Sequence, residues 1–135
     1  MQRRRDFIKT SLVMAGGMVL SSTAKVGASG SEFPKGVIYT KDNPGQWSKK
    51  AATHAPQVKV EGKKVTISTP HPMSEKHYIV RHTLVTDDGK VLGAKTFYPV
   101  DQPVSTYEVN VDKGSRLYAT SFCNLHDFWI SVVIV

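Results

Sequence analysis

The sequence predicts an all-β protein, folded as an antiparallel β-sandwich of about seven strands. After residue 28, no stretch sustains the 3.6-residue apolar period of an amphipathic helix. Short segments rich in β-branched residues alternate between apolar and polar positions instead, and turn signals separate them. Residues 29–135 are therefore predicted to form one β domain, whereas residues 1–28 have a different composition and are treated separately.

The predicted strands follow one another from residue 57 to the C-terminus. They are "QVKVEG", "KKVTIST", "HYIVRHTLVT", "KVLGAKTFYP", "STYEVNV", "SRLYATSFC" and "FWISVVIV". The last segment is apolar enough to be a buried strand, and could equally pair with a second subunit. Residues 36–55, rich in Lys, Gly and Pro, are predicted to form a loop that leads into the first core strand.

Turn chemistry supports this division into strands. "EGK" at 61–63 separates the first two segments, and "DKG" at 112–114 precedes the sixth. "DDGK" at 87–90 is the strongest hairpin signal, because Asp-Gly readily adopts the positive φ angles of tight hairpin turns. Consecutive strands are therefore expected to pair as antiparallel neighbours.

The N-terminus has the organisation of an export signal. "RRDFIK" at 4–9 resembles the twin-arginine motif, and the apolar run at 11–20 is too short to span a bilayer. Cleavage after Ala24 (in Ser-Thr-Ala) or Ala28 (in Val-Gly-Ala) would fit a signal peptidase site. We expect residues 1–28 to be removed, leaving a periplasmic protein without a membrane anchor. Because twin-arginine signals carry folded proteins, a prosthetic group assembled in the cytoplasm is also expected.

The net charge of +7 is unevenly distributed. Residues 1–28 hold five basic side chains against one acidic, a net of +4, and the remainder holds thirteen against ten, a net of +3. The predicted domain is only mildly basic and lacks the Lys/Arg density of a nucleic-acid binder. It could still attract small anions.

Histidines and one cysteine suggest a metal site. "HPMSEKHYIVRH" at 71–82 contains three of the five histidines. Cys123, the single cysteine, cannot form an internal disulfide and lies in a C-x-x-H pair with His126. That pair alone is a weak motif, and a buried core thiol is the alternative interpretation. His82 lies five residues beyond His77 within a predicted strand, so it is expected on the opposite face as a packing or surface residue.

The remaining candidates share a position at strand ends or in loops: His54, His71, His77, Cys123 and His126. Four imidazoles and one thiolate exceed the four ligands of a closed structural zinc site. They suit a square-pyramidal iron with nitrogens in one plane, sulfur on the axis and the sixth position open. A small molecule is expected to bind at that open position.

Three segments, "THAP", "HPMSEKHYI" and "SFCNLHDFW", resemble the iron-binding domain of superoxide reductase, also called neelaredoxin or the desulfoferrodoxin C-terminal domain. The resemblance runs from about residue 33 to the C-terminus and implies an immunoglobulin-like fold. It also implies one iron per chain, bound by His54, His71, His77 and His126 in the plane and by Cys123 on the axis. The rubredoxin-like domain of two-iron members is not expected, because no further cysteines are present.

The resemblance assigns roles to residues around the iron. The backbone amides of Leu125 and His126 would hydrogen-bond the thiolate, and Trp129 would pack near the site. Two departures stand out. The family's Glu-Lys before the first ligand is Ala52-Thr53 here, and Asp127 replaces a Gly.

The Glu normally fills the sixth position of the ferric site, and the Lys attracts the anion. Lys49 and Lys50 lie close enough upstream of His54 to supply a cation instead, although solvated loop lysines are the alternative interpretation. Asp is less comfortable than Gly in a left-handed backbone conformation, but tolerates it better than most residues.

The implied reaction is the one-electron reduction of superoxide to hydrogen peroxide, with an external electron donor. A c-type cytochrome is one candidate donor, and family members are often dimers or tetramers. Two alternatives remain open: an iron protein that relays or senses redox state without reductase activity, and a cupredoxin-like copper carrier. The copper carrier usually has a Met shortly after the second His, whereas Met73 is the only methionine after residue 28.

Overall fold

The computed structural model describes residues 33–135, in which eight strands form two sheets. The export signal predicted for residues 1–28 lies outside the described residues. The strands are β1 (Ile38–Tyr39), β2 (Gln57–Glu61), β3 (Lys64–Ser68), β4 (Ile79–Thr86), β5 (Val91–Thr96), β6 (Val104–Glu108), β7 (Arg116–Cys123) and β8 (Asp127–Ile134). A 3-10 helix (Gly45–Lys50) leads directly into a single α-helical turn, α1 (Ala51–His54).

The two sheets pack as a sandwich. The larger has the strand order β1-β8-β7-β4-β5, and the smaller has the order β2-β3-β6. Strands β3, β4 and β7 contribute buried apolar side chains to one cluster, which includes Ile67, Leu84 and Leu117. Because these side chains come from both sheets, the main core lies between them. No helix in the described part of the chain has the length and apolarity that a membrane crossing requires.

All seven predicted strand segments are present, and the antiparallel sandwich is confirmed. Gly62 and Gly89 adopt φ angles of 61° and 89°, as the turn signals required. The prediction of a loop over residues 36–55 was wrong, because this segment contains β1, the 3-10 helix and α1. These elements are too short to show a sequence period, and β1 depends on parallel pairing with β8 at Phe128 and Trp129.

Strand β4 carries a bulge beside the metal-ligand candidates. Its register with β7 shifts between Ile79 and Arg81, which adds one residue to β4. Ile79 and His82 are therefore both fully buried, although their offset of three positions would place them on opposite faces of a regular strand. His82, expected as a packing or surface residue, is a buried packing residue outside the ligand cluster, on the same face of β4 as Leu84.

Candidate metal centre

Three separate segments carry the five predicted ligands. His54 is the last residue of α1, and His71 and His77 lie on the connection between β3 and β4. Cys123 ends β7, and His126 precedes β8, so both lie at the hairpin that joins these strands. The structure brings all five side chains together.

The imidazole nitrogens form a closely spaced series. His126 Nδ1 lies 3.1 Å from His54 Nε2 and 3.0 Å from His77 Nε2. His77 Nε2 also lies 3.0 Å from His71 Nε2. The thiol lies to one side, with Cys123 Sγ 3.7 Å from His126 Nδ1 and 3.9 Å from His71 Nε2.

Ring positions show that the four imidazoles surround a common point. Neighbouring ring centroids are 4.3 to 4.8 Å apart in the cyclic order His54, His71, His77, His126. His54 and His77 lie across the ring at 5.8 Å, with their planes only 25° apart. Adjacent corners of a square are about 3.0 Å apart when each corner is about 2.1 Å from a central metal. The nitrogen spacing therefore fits one metal ion in the middle.

Hydrogen bonding alone cannot satisfy this arrangement. A neutral imidazole nitrogen is either a donor or an acceptor, yet His126 Nδ1 and His77 Nε2 each face two other nitrogens. His54 Nδ1 lies 3.0 Å from the Lys50 carbonyl oxygen, which can only accept, so the proton of His54 is on Nδ1 and a lone pair is on Nε2. A shared cation satisfies these converging lone pairs.

The imidazole rings of the cluster are neutral rather than charged, which favours metal binding. Burial, followed by the neighbouring imidazoles, lowers the pKa of His54 and of His71 from 6.5 to about 4. The pKa of His126 is lowered for the same reasons. These three rings are therefore neutral at pH 7 and offer lone pairs, as metal ligation requires.

Two opposing effects act on the pKa of the Cys123 thiol. Burial raises the pKa of its thiol, and the backbone amides of Leu125 and His126 lower it by hydrogen bonding to sulfur. This is the position expected for those amides. Ile79, Phe97 and Met73 pack around the sulfur on the interior side. The thiol is thus protonated without a metal, and a bound cation would displace the proton.

The hairpin between β7 and β8 shapes the C-x-x-H pair. Asp127 has a φ of 67°, the left-handed conformation that commonly ends a three-residue hairpin loop. Trp129 is fully buried beneath this turn, and its Nε1 donates to the His126 carbonyl oxygen at 2.9 Å. Its ring centroid lies 5.9 Å from that of His54, so Trp129 packs near the site as expected.

The two candidate lysines are placed differently. Lys50 is half-buried, and its charge lowers the pKa of His71, of Cys123 and of His126. Lys49 is exposed. Lys50 also adjoins the cluster through its backbone, because its carbonyl oxygen lies 3.0 Å from His54 Nδ1.

One contact at the site was not anticipated from the sequence. Trp47, in the 3-10 helix, donates a hydrogen bond from Nε1 to Asp127 Oδ2 at 2.8 Å. Its ring also meets the His126 ring edge-on, with centroids 4.7 Å apart. No local pattern marks this pair, because 80 residues separate its members.

The site contains no carboxylate ligand. Among residues 33–135, the group of metal-ligand side chains around this point includes no Asp or Glu. Residue 52, where the family usually has Glu, is an alanine. Five donors on a six-coordinate metal would leave one position open.

Comparison with known proteins identifies relatives for most of the described domain. Two curated relatives are a desulfoferrodoxin homolog of Archaeoglobus fulgidus, 40% identical over 81 residues, and a superoxide reductase of Pyrococcus abyssi, 29% identical over 102 residues. The alignments cover 58% and 63% of this chain. They cover 61% of the first relative and 87% of the second, so the chain matches about three fifths of the length of the desulfoferrodoxin homolog.

Solved structures share the fold. The superoxide reductase (neelaredoxin) from Ignicoccus hospitalis superposes with a TM-score of 0.62 at 31% identity, covering 73% of this chain and 93% of its own. The one-iron superoxide reductase from Giardia intestinalis superposes with a TM-score of 0.56 at 29% identity, covering 62% of this chain and 98% of its own. The family model described as desulfoferrodoxin matches residues 46–132, which include all five clustered side chains. This chain therefore belongs to the desulfoferrodoxin family.

Proposed function

We propose that this protein is a superoxide reductase, which transfers one electron to superoxide and, with two protons, forms hydrogen peroxide. The observation that carries the proposal is the ring of imidazole nitrogens 3.0 to 3.1 Å apart with a thiol on one side. One iron per chain would be held by the five side chains of that cluster: His54, His71, His77, Cys123 and His126. Bound iron supplies the electron and an open coordination position for the anion.

The protein's residues would contribute in three ways. The buried imidazoles hold the metal without adding negative charge, so the centre remains attractive to an anion. The Cys123 thiolate would donate electron density to the bound metal, which would favour release of the protonated product. The Lys50 ammonium adds a positive charge beside the cluster and steers superoxide towards it.

A direct experiment measures the iron content, the absorption spectrum and the rate of reaction with superoxide. The purified protein is expected to contain about one iron per chain and, when oxidised, to show a thiolate-to-iron absorption band in the red. The reduced protein should bind superoxide in pulse radiolysis at close to the diffusion limit, on the order of 10⁹ M⁻¹s⁻¹. A colourless zinc protein would remove the proposal.

A second candidate is an iron protein that relays or senses redox state. The observation favouring it is the replacement of Glu-Lys by Ala52-Thr53 directly before His54. Pulse radiolysis distinguishes the two functions, because a sensor with the same red band need not react rapidly with superoxide. Slow reaction of a fully iron-loaded protein would favour the sensor.

The copper-carrier alternative has little support. Such a site uses two histidines, a cysteine and a weak axial Met, and here four imidazoles converge. The Met73 sulfur accepts a hydrogen bond from the Ile79 amide at 3.3 Å and packs in the apolar cluster behind Cys123. Copper in elemental analysis together with a blue thiolate band would restore this alternative.

We also propose that the protein acts in the periplasm after export by the twin-arginine pathway. The proposal is supported by "RRDFIK" at 4–9 and the short apolar run that follows. A donor outside the inner membrane, of which a c-type cytochrome is one example, would return the iron to the ferrous state. Assembly into a homodimer or homotetramer is part of the same proposal. Fractionation of cells expressing the full chain tests the location, and light scattering tests the assembly.

A further inference from the structure

The hydrogen bond between Trp47 and Asp127 joins two parts of the metal centre. Trp47 belongs to the 3-10 helix that precedes His54, and Asp127 begins β8 immediately after His126. The indole nitrogen donates to the carboxylate at 2.8 Å, a charge-assisted bond of ordinary length. We call this pair the clasp.

The clasp is reinforced by packing on both sides of Trp47. The indole meets the His126 ring edge-on at 4.7 Å. Trp47 also packs against the buried cluster formed by Tyr39, Ala55 and Trp129. The 3-10 helix is therefore seated between the domain core and the hairpin that carries His126.

Backbone conformation alone does not explain why residue 127 is an aspartate. A non-glycine residue in the left-handed region is disfavoured by about 1 kcal/mol or more, and glycine avoids that cost. Asp127 nevertheless has a φ of 67°. The bond that its carboxylate accepts from Trp47 is a physical reason for a side chain at this position.

Lys50 lies three residues after Trp47, at which the 3-10 segment is kinked (φ −101°, ψ 31°). Its carbonyl oxygen lies 3.0 Å from His54 Nδ1, so Lys50 adjoins the ligand cluster. The described contacts of this helix with the rest of the domain include a bond from Gln46 Nε2 to the Tyr39 hydroxyl at 3.2 Å. Contact with the metal-binding hairpin is made by Trp47.

We propose that Asp127 is a positioning residue that acts through Trp47 to hold Lys50 beside the ligand cluster. The catalytic consequence rests on the proposed superoxide reductase function, whereas the clasp itself does not. By this means the chain places a cation at the site although the Glu-Lys pair before its first ligand is absent.

The first test is independent of activity. Trp47 and Trp129 are the only tryptophans, and Trp129 is fully buried, so acrylamide quenching of the reduced protein reports mainly on Trp47. Asp127→Gly removes the acceptor and relaxes the backbone, and is expected to increase quenching and shift the emission to the red. Asp127→Asn retains an acceptor oxygen, tolerates the same φ, and should behave like the parent. Unchanged quenching in Asp127→Gly would overturn the clasp.

The second test is a double-mutant cycle on the superoxide rate with Asp127→Gly and Lys50→Met. Asp127→Gly should keep the iron content and the red band while slowing the reaction by about threefold to tenfold, through misplacement of the lysine. In the Lys50→Met background the same change should have no further effect, because the group that it positions has been removed. Trp47→Phe, which keeps a ring but lacks the donor, should match Asp127→Gly.

The outcomes separate the two proposals. Independent, multiplying losses in the double variant would show that Asp127 does not act through Lys50, and the inference would fail. If the parent holds iron but does not react rapidly with superoxide, the proposed function fails. The quenching experiment then still decides whether Asp127 holds Trp47.

Discussion

Cys123 is the residue on which the colour and reactivity of the proposed centre depend. Its thiol is buried among apolar side chains, and the amides of Leu125 and His126 are the groups that stabilise a thiolate there. The Cys123 sulfur is therefore placed to bind a metal, whereas burial disfavours a free thiolate.

Replacing Cys123 by Ser should abolish the red absorption band of the oxidised protein. Oxygen is a poorer donor to a soft site, so iron affinity should fall by at least about tenfold, with loss of the superoxide reaction. Absorption spectra and iron titration measure both effects. Met73→Leu is the matched control, because it removes the other sulfur near the site and should leave the band in place. A Cys123→Ser protein with the parent spectrum would contradict the assigned axial ligand.

Lys50 should account for a larger share of the electrostatic steering than Lys49. Lys50→Met is expected to slow superoxide binding several-fold at low ionic strength and to flatten the dependence of the rate on salt. Lys49→Met, the neighbouring exposed position, is expected to have a smaller effect. Pulse radiolysis across a salt series gives both slopes. If the rates of the two variants depended equally on salt, the larger steering role of Lys50 would be contradicted.

At the scale of elements, β4 combines a bulge with a buried polar network. His82 Nε2 and Nδ1 lie 2.8 Å from Thr69 Oγ1 and Ser105 Oγ respectively, and Thr69 Oγ1 also lies 2.8 Å from Ser121 Oγ. His82 therefore links the two sheets through hydroxyl groups. Thr69 and Ser121 each lie two residues before a ligand candidate, so the network also supports the strand ends that carry His71 and Cys123.

His82 should make stability depend on pH in a defined window. Burial lowers the pKa of its imidazole from 6.5 to about 4, so the unfolded chain binds a proton that the folded protein excludes. The resulting stability is fully present above pH 6.5 and is lost as the pH falls towards 4, by about 3 kcal/mol in all. Urea unfolding of the parent and of His82→Gln at pH 4 to 7 measures the slopes.

The His82→Gln profile should be flatter than the parent profile by that amount, whatever its baseline stability. Because both proteins retain the other four histidines, comparing the two slopes isolates the contribution of His82. Parallel profiles would mean that His82 does not titrate differently on folding.

On the scale of the whole molecule, the metal centre connects segments that the sheets alone do not join. α1 and the connection from β3 to β4 meet the β7–β8 hairpin at the ligand cluster. Without a cation, four imidazole nitrogens and a thiol are packed together with unsatisfied lone pairs. Metal binding is therefore expected to contribute directly to the stability of this end of the sandwich.

Removal of iron with a chelator should lower the melting temperature. At a free metal concentration 1,000 times the dissociation constant, binding stabilises the folded state by about 4 kcal/mol. For a domain of this size each kcal/mol corresponds to about 4–8 °C, so a decrease of roughly 15 °C or more is expected. Scanning calorimetry of loaded and chelated protein measures the change, and re-addition of iron should reverse it. Coincident melting curves would contradict a shared metal among the three segments.

The sequence by itself determined the sheet-forming segments and the types of ligand. Alternation of apolar residues and the chemistry of Asp-Gly turns are local properties, so all seven predicted strands could be located without tertiary information. The motifs at 71–77 and 123–126 were also readable, because the spacing within each depends on a short stretch of backbone.

Only the tertiary structure decided which side chains meet. Parallel pairing of β1 with β8, the bulge at the start of β4 and the clasp between Trp47 and Asp127 all depend on contacts between distant parts of the chain. The difference between Lys49 and Lys50 depends on how the 3-10 helix is seated. Such contacts leave no periodic signal in the sequence, because each is set by the packing of whole elements rather than by the preferences of neighbouring residues.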